Sequence, residues 1–212
     1  KTAVNGKWLK APGKELFKAL QKHFAKKGKK LPIIAEDLGV ITQEVEALRD
    51  NFQFPGMKVL QFAFNLEEKN KGALLNSFLP HMYSSNFIVY TGTHDNDTLL
   101  GWFSTLKKEE QELILNYLEG VVPTQGEKKH TKDQIVSLFL KEAFSSVAKS
   151  VIIPLQDIYL LGSEARMNEP STLSGKNWQW RMNETMLSGK DAQSKAEMLQ
   201  QLNLLYNRNN GN

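Results

Sequence analysis

Short apolar runs alternate with amphipathic stretches along the chain. Four runs rich in Ile, Val, Leu and Phe are bounded by Gly, Pro or ionisable residues, and they predict strands at 31–35, 57–64, 87–91 and 151–155. Runs that are apolar at successive positions are typical of strands buried on both faces, as in parallel sheets. The pattern therefore predicts an α/β fold whose parallel strands are joined by helical crossovers.

Helical periodicity and start signals fill the intervals between these runs. They predict helices at 13–27, 42–51, 97–103, 107–118, 132–149 and 191–206, a weak helical pattern at 67–80, and a polar loop at 120–131. A long segment at 162–182 is rich in Gly, Pro, Ser and Asn and includes Trp178 and Trp180. Four strands do not close an eight-stranded barrel, so the pattern leaves two alternatives, an open sheet or half of a barrel.

Two of the apolar runs stop abruptly at acidic residues. His94 and Asp95 follow the run at 87–91 just after Gly92, and Glu36 and Asp37 follow the run at 31–35. Parallel α/β enzymes present their chemistry at the carboxyl ends of strands, so an active site is the leading interpretation. The alternative is that these carboxylates cap the helices that follow.

Composition narrows the class of protein. The 212 residues are enough for a single domain with a real core, and the 41% of hydrophobic residues argues against disorder. No cysteine is present, which excludes disulfides and thiol catalysis and fits a reducing compartment, so we expect a cytoplasmic protein. No apolar run reaches the ~20 residues of a membrane span, and residues 1–30 lack the apolar core of a signal peptide. No metal-ligand spacing and no phosphate-binding loop occurs.

The formal net charge of +4 comes from lysine. Lysines recur every fourth residue from just before the first predicted helix to its end, and apolar residues recur on another face of it: Lys10, Lys14, Lys18, Lys22 and Lys26 against Phe17, Leu20 and Phe24. A solvated helix face explains this stripe, with nucleic-acid binding as the alternative. The chain has only four arginines, the better residue for recognising phosphates and bases, so we expect no nucleic-acid partner.

Four ordered blocks carry a resemblance to a known family. They are AEDLGVIT at 35–42, PGMKVLQFAF at 55–64, YTGTHDNDT at 90–98 and GSEARMN at 162–168. Together they resemble the 4-α-glucanotransferases of glycoside hydrolase family 77, also called amylomaltases or disproportionating enzymes. The resemblance runs from about residue 2 to the last predicted helix. Four blocks in order and at compatible spacing are far more specific than any one of them alone.

The resemblance implies a fold and an activity. Family members are (β/α)8 barrels, so this chain would be one partial domain, the C-terminal half with strands five to eight, without the N-terminal half. They transfer α-1,4-glucan segments between maltooligosaccharides by a retaining double displacement that uses no cofactor. The expected partners are therefore α-1,4-glucans and the missing half of the same enzyme, with no membrane partner.

The resemblance also implies catalytic roles. Glu36 would be the general acid/base, kept protonated near neutral pH by burial at its strand end, and Asp95 would stabilise the transition state. The family's nucleophilic aspartate lies in an Arg-Ile-Asp-His type motif that does not occur in this sequence. We therefore expect the isolated chain to be inactive and at most to bind glucan weakly. An α-glucan hydrolase is the nearby alternative for the whole enzyme.

Further residues would bind substrate. His94 and Asn168 would hydrogen-bond a sugar, and Phe62, at the end of the sixth barrel strand, would pack on a pyranose ring unless it is only a core residue. Two roles are open for Trp178 and Trp180 as well: they would line an outer glucan subsite or pack their loop onto the barrel. We expect the remaining acids to be structural, with Asp37 orienting or capping and Asp97 starting a helix.

Overall fold

The computed structural model describes residues 4–7, 9–39, 41–64, 76–121 and 129–208. The weak helical pattern predicted at 67–80 and the polar loop predicted at 120–131 lie largely outside these residues. The chain divides into two compact units, Lys1–Met57 and Lys58–Asn212, which are described separately.

The first unit contains helices α1, Gly13–Ala25, and α2, Gln43–Asn51. Both begin within one residue of their predicted starts. The ring of Phe17 on α1 contacts those of Phe52 and Phe54, with centroids 5.3 and 5.0 Å apart. The apolar side of α1 is only partly buried and its lysines are exposed, which confirms an amphipathic helix with a solvated basic face.

The strand predicted at 31–35 does not form. The segment is irregular, its side chains alternate between half-buried and exposed, and Ile34 is 46% exposed. Among the described residues, a single backbone hydrogen bond joins 31–35 to another segment, from Ala35 N to Pro55 O at 2.8 Å, whereas a strand needs a repeating ladder of such bonds. The prediction of a buried strand was therefore wrong, because an apolar run becomes a strand only where another strand pairs with it.

A three-stranded sheet supports the second unit. Its strands are β1, Gly56–Val59, β2, Phe87–Tyr90, and β3, Ser150–Ile152, in the order β1-β2-β3. Strands β2 and β3 are parallel, with Val89 opposite Val151. The predicted α/β fold with parallel strands is thus confirmed, although the described residues contain three strands and not four.

Two of the predicted strands end early in helical turns. Strand β1 passes directly into α3, Leu60–Ala63, so Phe62 lies on a helical turn and the prediction that it ends a strand was wrong. Similarly, β3 is followed by α7, Leu155–Ile158. Short apolar runs do not distinguish a strand from a buried helix, and Leu, Gln and Ala favour helix. The prediction that β3 is buried on both faces was also wrong, because Ser150 and Ile152 are exposed, Ile152 by 43%, and Val151 is half-buried.

Between β2 and β3 the described residues form three helices: α4, Leu99–Thr105, α5, Lys108–Glu119, and α6, Lys132–Ser145. The core centres on Phe139 of α6, whose ring meets those of Phe64 and Trp102 edge-on with both centroid distances 5.9 Å. The largest completely buried apolar side chains of this unit come from its sheet and its helices: Val59, Leu60, Val89, Leu99, Ile114, Leu118, Phe139 and Leu140.

A last helix, α8, covers Lys190–Leu205. Its Met198 and Leu202 pack against the core. Just beyond it, the guanidinium of Arg208 donates to three carbonyl oxygens at the end of α6, those of Phe144, Ser146 and Ala148, at 2.6 to 2.9 Å. A cation there satisfies carbonyls that lack helical partners. Within the part of the chain that the structure describes, no helix combines the length and apolarity needed to cross a bilayer.

Candidate active site

The loop after β2 contains most of the block YTGTHDNDT at 90–98. A buried carboxylate accepts hydrogen bonds from both ends of this loop. Asp157 of α7 accepts a hydrogen bond from Thr91 Oγ1 at 2.5 Å and another from Leu99 N at 2.7 Å. Because Thr91 begins the loop and Leu99 begins α4, the loop at 91–98 is closed by one side chain. Sequence reasoning missed Asp157, which no motif marks.

Asp157 serves this scaffold and has no access to solvent. It is 1% exposed, and burial raises the pKa of its carboxyl above the usual value, while the hydrogen bonds from Leu99 N and Thr91 Oγ1 lower it and the charge of Asp97 adds to the rise. Desolvation is the largest of these influences. A carboxyl that is completely enclosed holds the loop in shape and does not meet substrate.

A second set of contacts shapes the middle of the loop. Gln61 Nε2 of α3 donates to the carbonyl oxygen of Asp97 at 2.9 Å and passes close to Gly92. A Cβ at position 92 would lie 2.7 Å from that amide nitrogen. Any residue other than glycine at position 92 would displace the amide, which explains why a glycine occupies this position.

Asp97 anchors the loop to the segment at 162–168. Its carboxylate accepts from Thr98 N at 2.7 Å and from Ser163 Oγ at 2.6 Å, and Thr98 is the N-cap of α4. Asp97 was predicted to be the first residue of a helix at 97–103, but α4 begins at Leu99, so Asp97 lies just before the N-cap and braces it from outside the helix. The absence of a side chain at Gly101 leaves room for Ser163 to reach Asp97, since a Cβ added at position 101 would lie 2.5 Å from Ser163 Oγ.

Asp95 is held through one carboxylate oxygen. Asn168 Nδ2 donates to Asp95 Oδ1 at 2.6 Å, and His94 Nε2 lies 3.3 Å from the same oxygen. The backbone N–H of Asn168 also donates to the backbone carbonyl oxygen of His94 at 3.0 Å. The side chain of Asp95 is 46% exposed, and among the described residues no partner binds its Oδ2. This oxygen is available to accept a hydrogen bond from a ligand.

Arg166 fixes the backbone beneath this cluster. Its Nη2 donates to the carbonyl oxygen of Asp95 and its Nε to that of Asn168, both at 2.8 Å. The planar guanidinium can serve two acceptors at once, which a lysine ammonium does with less geometric definition. Sequence reasoning assigned Arg166 no role, although it is one of only four arginines and lies in the block at 162–168.

Trp178 comes from the long loop that follows. Its ring centroid is 5.1 Å from that of His94, with the rings inclined at 38°. Its side chain remains about half exposed. The structure thus brings together His94, Asp95 and Asn168, as predicted, and adds Arg166 and Trp178 to them. Trp180 is half-buried.

Glu36 belongs to the first unit and is exposed. The burial expected to keep it protonated is absent, because the segment before it is not a buried strand. The adjacent Asp37 is enclosed: it accepts from Met57 N at 2.7 Å and pairs with Arg49, with the two side chains 7% and 11% exposed. Asp37 was predicted to orient or cap, and these contacts agree with a structural role. Burial of Arg49 lowers its pKa, and its bonds to Asp50 and Asp37 outweigh this effect, so that the pKa is raised.

Phe62 is half-buried, and its ring packs edge-on against Phe78 at 5.6 Å. This contact fits the alternative of a core aromatic residue, and a role in sugar binding stays a prediction. As for metals, the described ranges contain no group of three His, Asp or Glu side chains that could hold an ion.

Comparison with known proteins places these observations in a family. A family model described as 4-alpha-glucanotransferase matches residues 1–187. The 4-alpha-glucanotransferase of Synechocystis sp. is 52% identical over 189 residues, which cover 89% of this chain and 34% of that protein. The 4-alpha-glucanotransferase of Thermus thermophilus is 48% identical over 183 residues, covering 85% of this chain and 34% of that protein.

Among solved structures, the fold is similar to the amylomaltase of Streptococcus agalactiae in complex with acarbose. The match has a TM-score of 0.77 and 34% identity, and it covers 98% of this chain and 37% of that one. The chain therefore spans about a third of the length of the curated relatives it matches.

Proposed function

This chain belongs to the 4-alpha-glucanotransferase family, and from that membership we propose that it supplies two catalytic carboxylates, Glu36 and Asp95, to a 4-α-glucanotransferase. The enzyme would transfer α-1,4-glucan segments between maltooligosaccharides. The observation that carries the proposal is the half-exposed Asp95, oriented through Oδ1 by Asn168 and flanked by His94, with no partner at its second oxygen within the described ranges.

The architecture we propose is the C-terminal half of a (β/α)8 barrel, in one partial domain. The parallel β2–β3 pair and the amylomaltase-like fold support this placement. The nucleophilic aspartate and the remaining strands would come from the part of the enzyme that the chain does not span. Retaining transfer needs the nucleophile and the acid/base roughly 5 Å apart, so the two halves would meet at the scissile bond.

Asp95 would stabilise the transition state by accepting hydrogen bonds from sugar hydroxyls. Such bonds strengthen as the sugar acquires oxocarbenium character, and an acceptor that is already oriented needs no reorganisation at that moment. Asn168 and Arg166 provide this orientation, one at the carboxylate and one at the backbone carbonyl. His94 Nε2 lies beside the same carboxylate and would donate to the sugar.

Glu36 would act as the general acid for the leaving oxygen and then as the general base for the incoming sugar hydroxyl. The buried pair of Asp37 and Arg49 anchors the chain at the very next residue, which limits how far Glu36 can move. In this structure Glu36 is exposed, so the exclusion of water that favours transfer over hydrolysis would have to come from the assembled enzyme and its bound glucan.

The site chemistry indicates a neutral, hydroxyl-rich ligand: it offers one free carboxylate oxygen, an imidazole and an exposed indole. The amylomaltase of similar fold was solved with acarbose, which supports a glucan-binding role for this part of the family. A cytoplasmic location stays a prediction.

The test is Glu36→Gln in the full-length protein that carries this chain, with disproportionation of maltotriose as the measurement. We expect roughly a 10³-fold loss of turnover, since general acid–base catalysis contributes about 10²- to 10⁴-fold. Glu46→Gln, at an exposed position of α2, is the matched control and should keep wild-type activity. Retained disproportionation in the Glu36 variant would end the assignment.

The same assay separates the alternatives. A transferase redistributes chain lengths without a net gain of reducing ends, whereas a hydrolase produces new reducing ends at the rate of turnover. The 212-residue chain alone should show no turnover, because the proposed nucleophile is not part of it; robust activity of the isolated chain would refute the proposed division of catalytic groups.

A further inference from the structure

We propose that Trp178 is a stacking surface for a pyranose ring of the glucan, next to the hydroxyl-binding Asp95. This inference rests on the proposed function and extends it to a residue whose role was open between substrate binding and packing. Three observations support it: the exposure of the indole, the conformation of its backbone, and its position beside His94.

The indole is exposed where a purely structural tryptophan would be enclosed. Trp178 is 51% exposed, whereas Trp102 on α4 packs on the core with its ring 5.9 Å from that of Phe139. Partial contact with the imidazole of His94 covers some of the ring and leaves the rest open to solvent. Leaving half of so large an apolar side chain in water forgoes stabilisation that burial would supply.

The backbone at Trp178 is in the left-handed region, with φ of 63°. Bulky side chains rarely adopt this conformation, which persists where the surroundings impose it and is enriched at ligand clamps. Trp178 N donates to Met167 O at 2.7 Å, and Arg181 Nη1 donates to Trp178 O at 2.8 Å, so both backbone groups are held.

The preceding loop is braced by Asn177. Its Oδ1 accepts from Glu169 N at 3.0 Å, and its Nδ2 donates to Thr172 Oγ1 at 3.0 Å. These contacts make 169–177 a self-supporting loop that delivers the indole to His94. A chain that maintains an unfavourable backbone conformation while it exposes an aromatic ring against His94, the neighbour of Asp95, has the features of a ligand-binding element.

The chemistry favours a sugar as the ligand. A pyranose ring has an apolar C–H face that packs on an electron-rich indole, and hydroxyls at its rim that a carboxylate accepts. Asp95 Oδ2 and the exposed indole offer these two kinds of contact, and His94 lies next to both residues. A neutral α-glucan matches both, and the platform contributes binding without taking part in bond cleavage.

The experiment uses Trp178→Asn in the full-length protein. Asn tolerates the left-handed conformation, so the substitution removes the platform and relieves the backbone at the same time. We expect maltotriose and maltohexaose to bind roughly five- to tenfold more weakly by calorimetry, with KM raised more than kcat is lowered. The thermal midpoint should stay the same or rise.

Two further variants make the result specific. Trp178→Phe keeps an aromatic face and should retain an intermediate affinity. Trp102→Phe changes a tryptophan of the core and should leave sugar affinity unchanged. Wild-type affinity in Trp178→Asn would overturn the proposal. A lowered thermal midpoint together with weaker binding would overturn it as well, since that pattern belongs to a packing residue.

Failure of the proposed function gives a different result. If the wild-type protein neither binds nor disproportionates maltotriose, both the function and the platform are wrong. If the wild-type protein is active and Trp178→Asn binds sugar equally well, only the platform is wrong.

Discussion

Two segments of this protein look alike in sequence and differ in structure. The segments at 31–39 and 86–98 both consist of an apolar run followed by ionisable residues. The second forms strand β2, which pairs with β3, and its loop is closed by Asp157. The first forms no strand, and its acidic end is secured by the pair of Asp37 with Arg49.

The difference teaches that an apolar run marks where a strand can form, and pairing decides whether it does. The two segments nevertheless share one device. In each, an exposed or half-exposed acid is followed within two residues by a hydrogen-bonded acid: Glu36 by Asp37, and Asp95 by Asp97. The second acid fixes the backbone, and the first remains available to a ligand.

The largest effect on stability should come from breaking the anchor of the first segment. Asp37→Ala leaves Met57 N without its acceptor and removes the enclosed partner of Arg49, so we expect a local loss of about 3 kcal/mol. Amide hydrogen exchange at residues 35–57 should accelerate accordingly. Asp50→Ala removes the exposed partner of Arg49 and should change exchange little. Equal exchange rates in the two variants would contradict this account.

The next effect concerns the closure of the second segment. Asp157→Ala leaves Leu99 N and Thr91 Oγ1 without their acceptor in the interior, at a cost of about 2 kcal/mol in the free energy of unfolding. Asp157→Asn is the matched control, because its carbonyl oxygen can accept from Leu99 N and its amide can donate to Thr91 Oγ1. Urea unfolding of the full-length protein measures the difference. Equal stability of the two variants would show that the loop is closed by other contacts.

A smaller effect should follow from freeing the carboxylate of Asp95, the proposed catalytic group. Asn168→Ala removes the donor to Asp95 Oδ1, so Asp95 would sample more orientations, and we expect kcat for maltotriose to fall roughly tenfold with little change in stability. Asn203→Ala in α8, whose side chain donates to Leu199 O, is the control and should keep wild-type kcat. A wild-type kcat in the Asn168 variant would mean that Arg166 alone orients the segment.

The smallest effect is a pH dependence due to Asp157. Because burial raises its pKa in the folded state, the folded protein binds a proton more readily than the unfolded chain. The resulting stabilisation is fully present below the ordinary carboxyl pKa of 3.8 and is lost as pH rises through the raised pKa. Each unit of the rise corresponds to about 1.4 kcal/mol.

The measurement is the free energy of unfolding of wild type minus that of Asp157→Asn from about pH 3 upward, across the range where carboxyls titrate. This difference in the free energy of unfolding should decrease as pH rises through the raised pKa of Asp157 and stay constant at higher pH. A difference that grows with pH would indicate that hydrogen bonds to the ionised carboxylate outweigh its desolvation.

The long periodic segments were the part of the fold that sequence predicted well. Helices α1, α5 and α8 begin or end within two residues of expectation, since each presents a repeated apolar face over three turns or more. The secondary structure of the short apolar runs was harder to predict. Position 62 lies in a helical turn and 31–35 is irregular, because four or five apolar residues satisfy a strand and a buried turn equally well.

Some residues of the candidate site were predicted from the sequence, and others were found only in the structure. His94, Asp95 and Asn168 were predicted through the family resemblance, and the structure brings them together. The partners that hold them came only from the structure: Asp157 meets Thr91, 66 positions away in the sequence, and Arg166 meets Asp95, 71 positions away. Residues that far apart leave no joint pattern in a single sequence.

By itself, the sequence determined the α/β class, the amphipathic helices, the family and the positions of the acidic residues, because these depend on local periodicity and on motifs that are contiguous in the chain. The tertiary structure decided which apolar runs became strands, which of two neighbouring acids is enclosed, and that Trp178 reaches His94. Those outcomes depend on pairing and desolvation by groups distant in sequence, whose free energies exist only once the chain has folded.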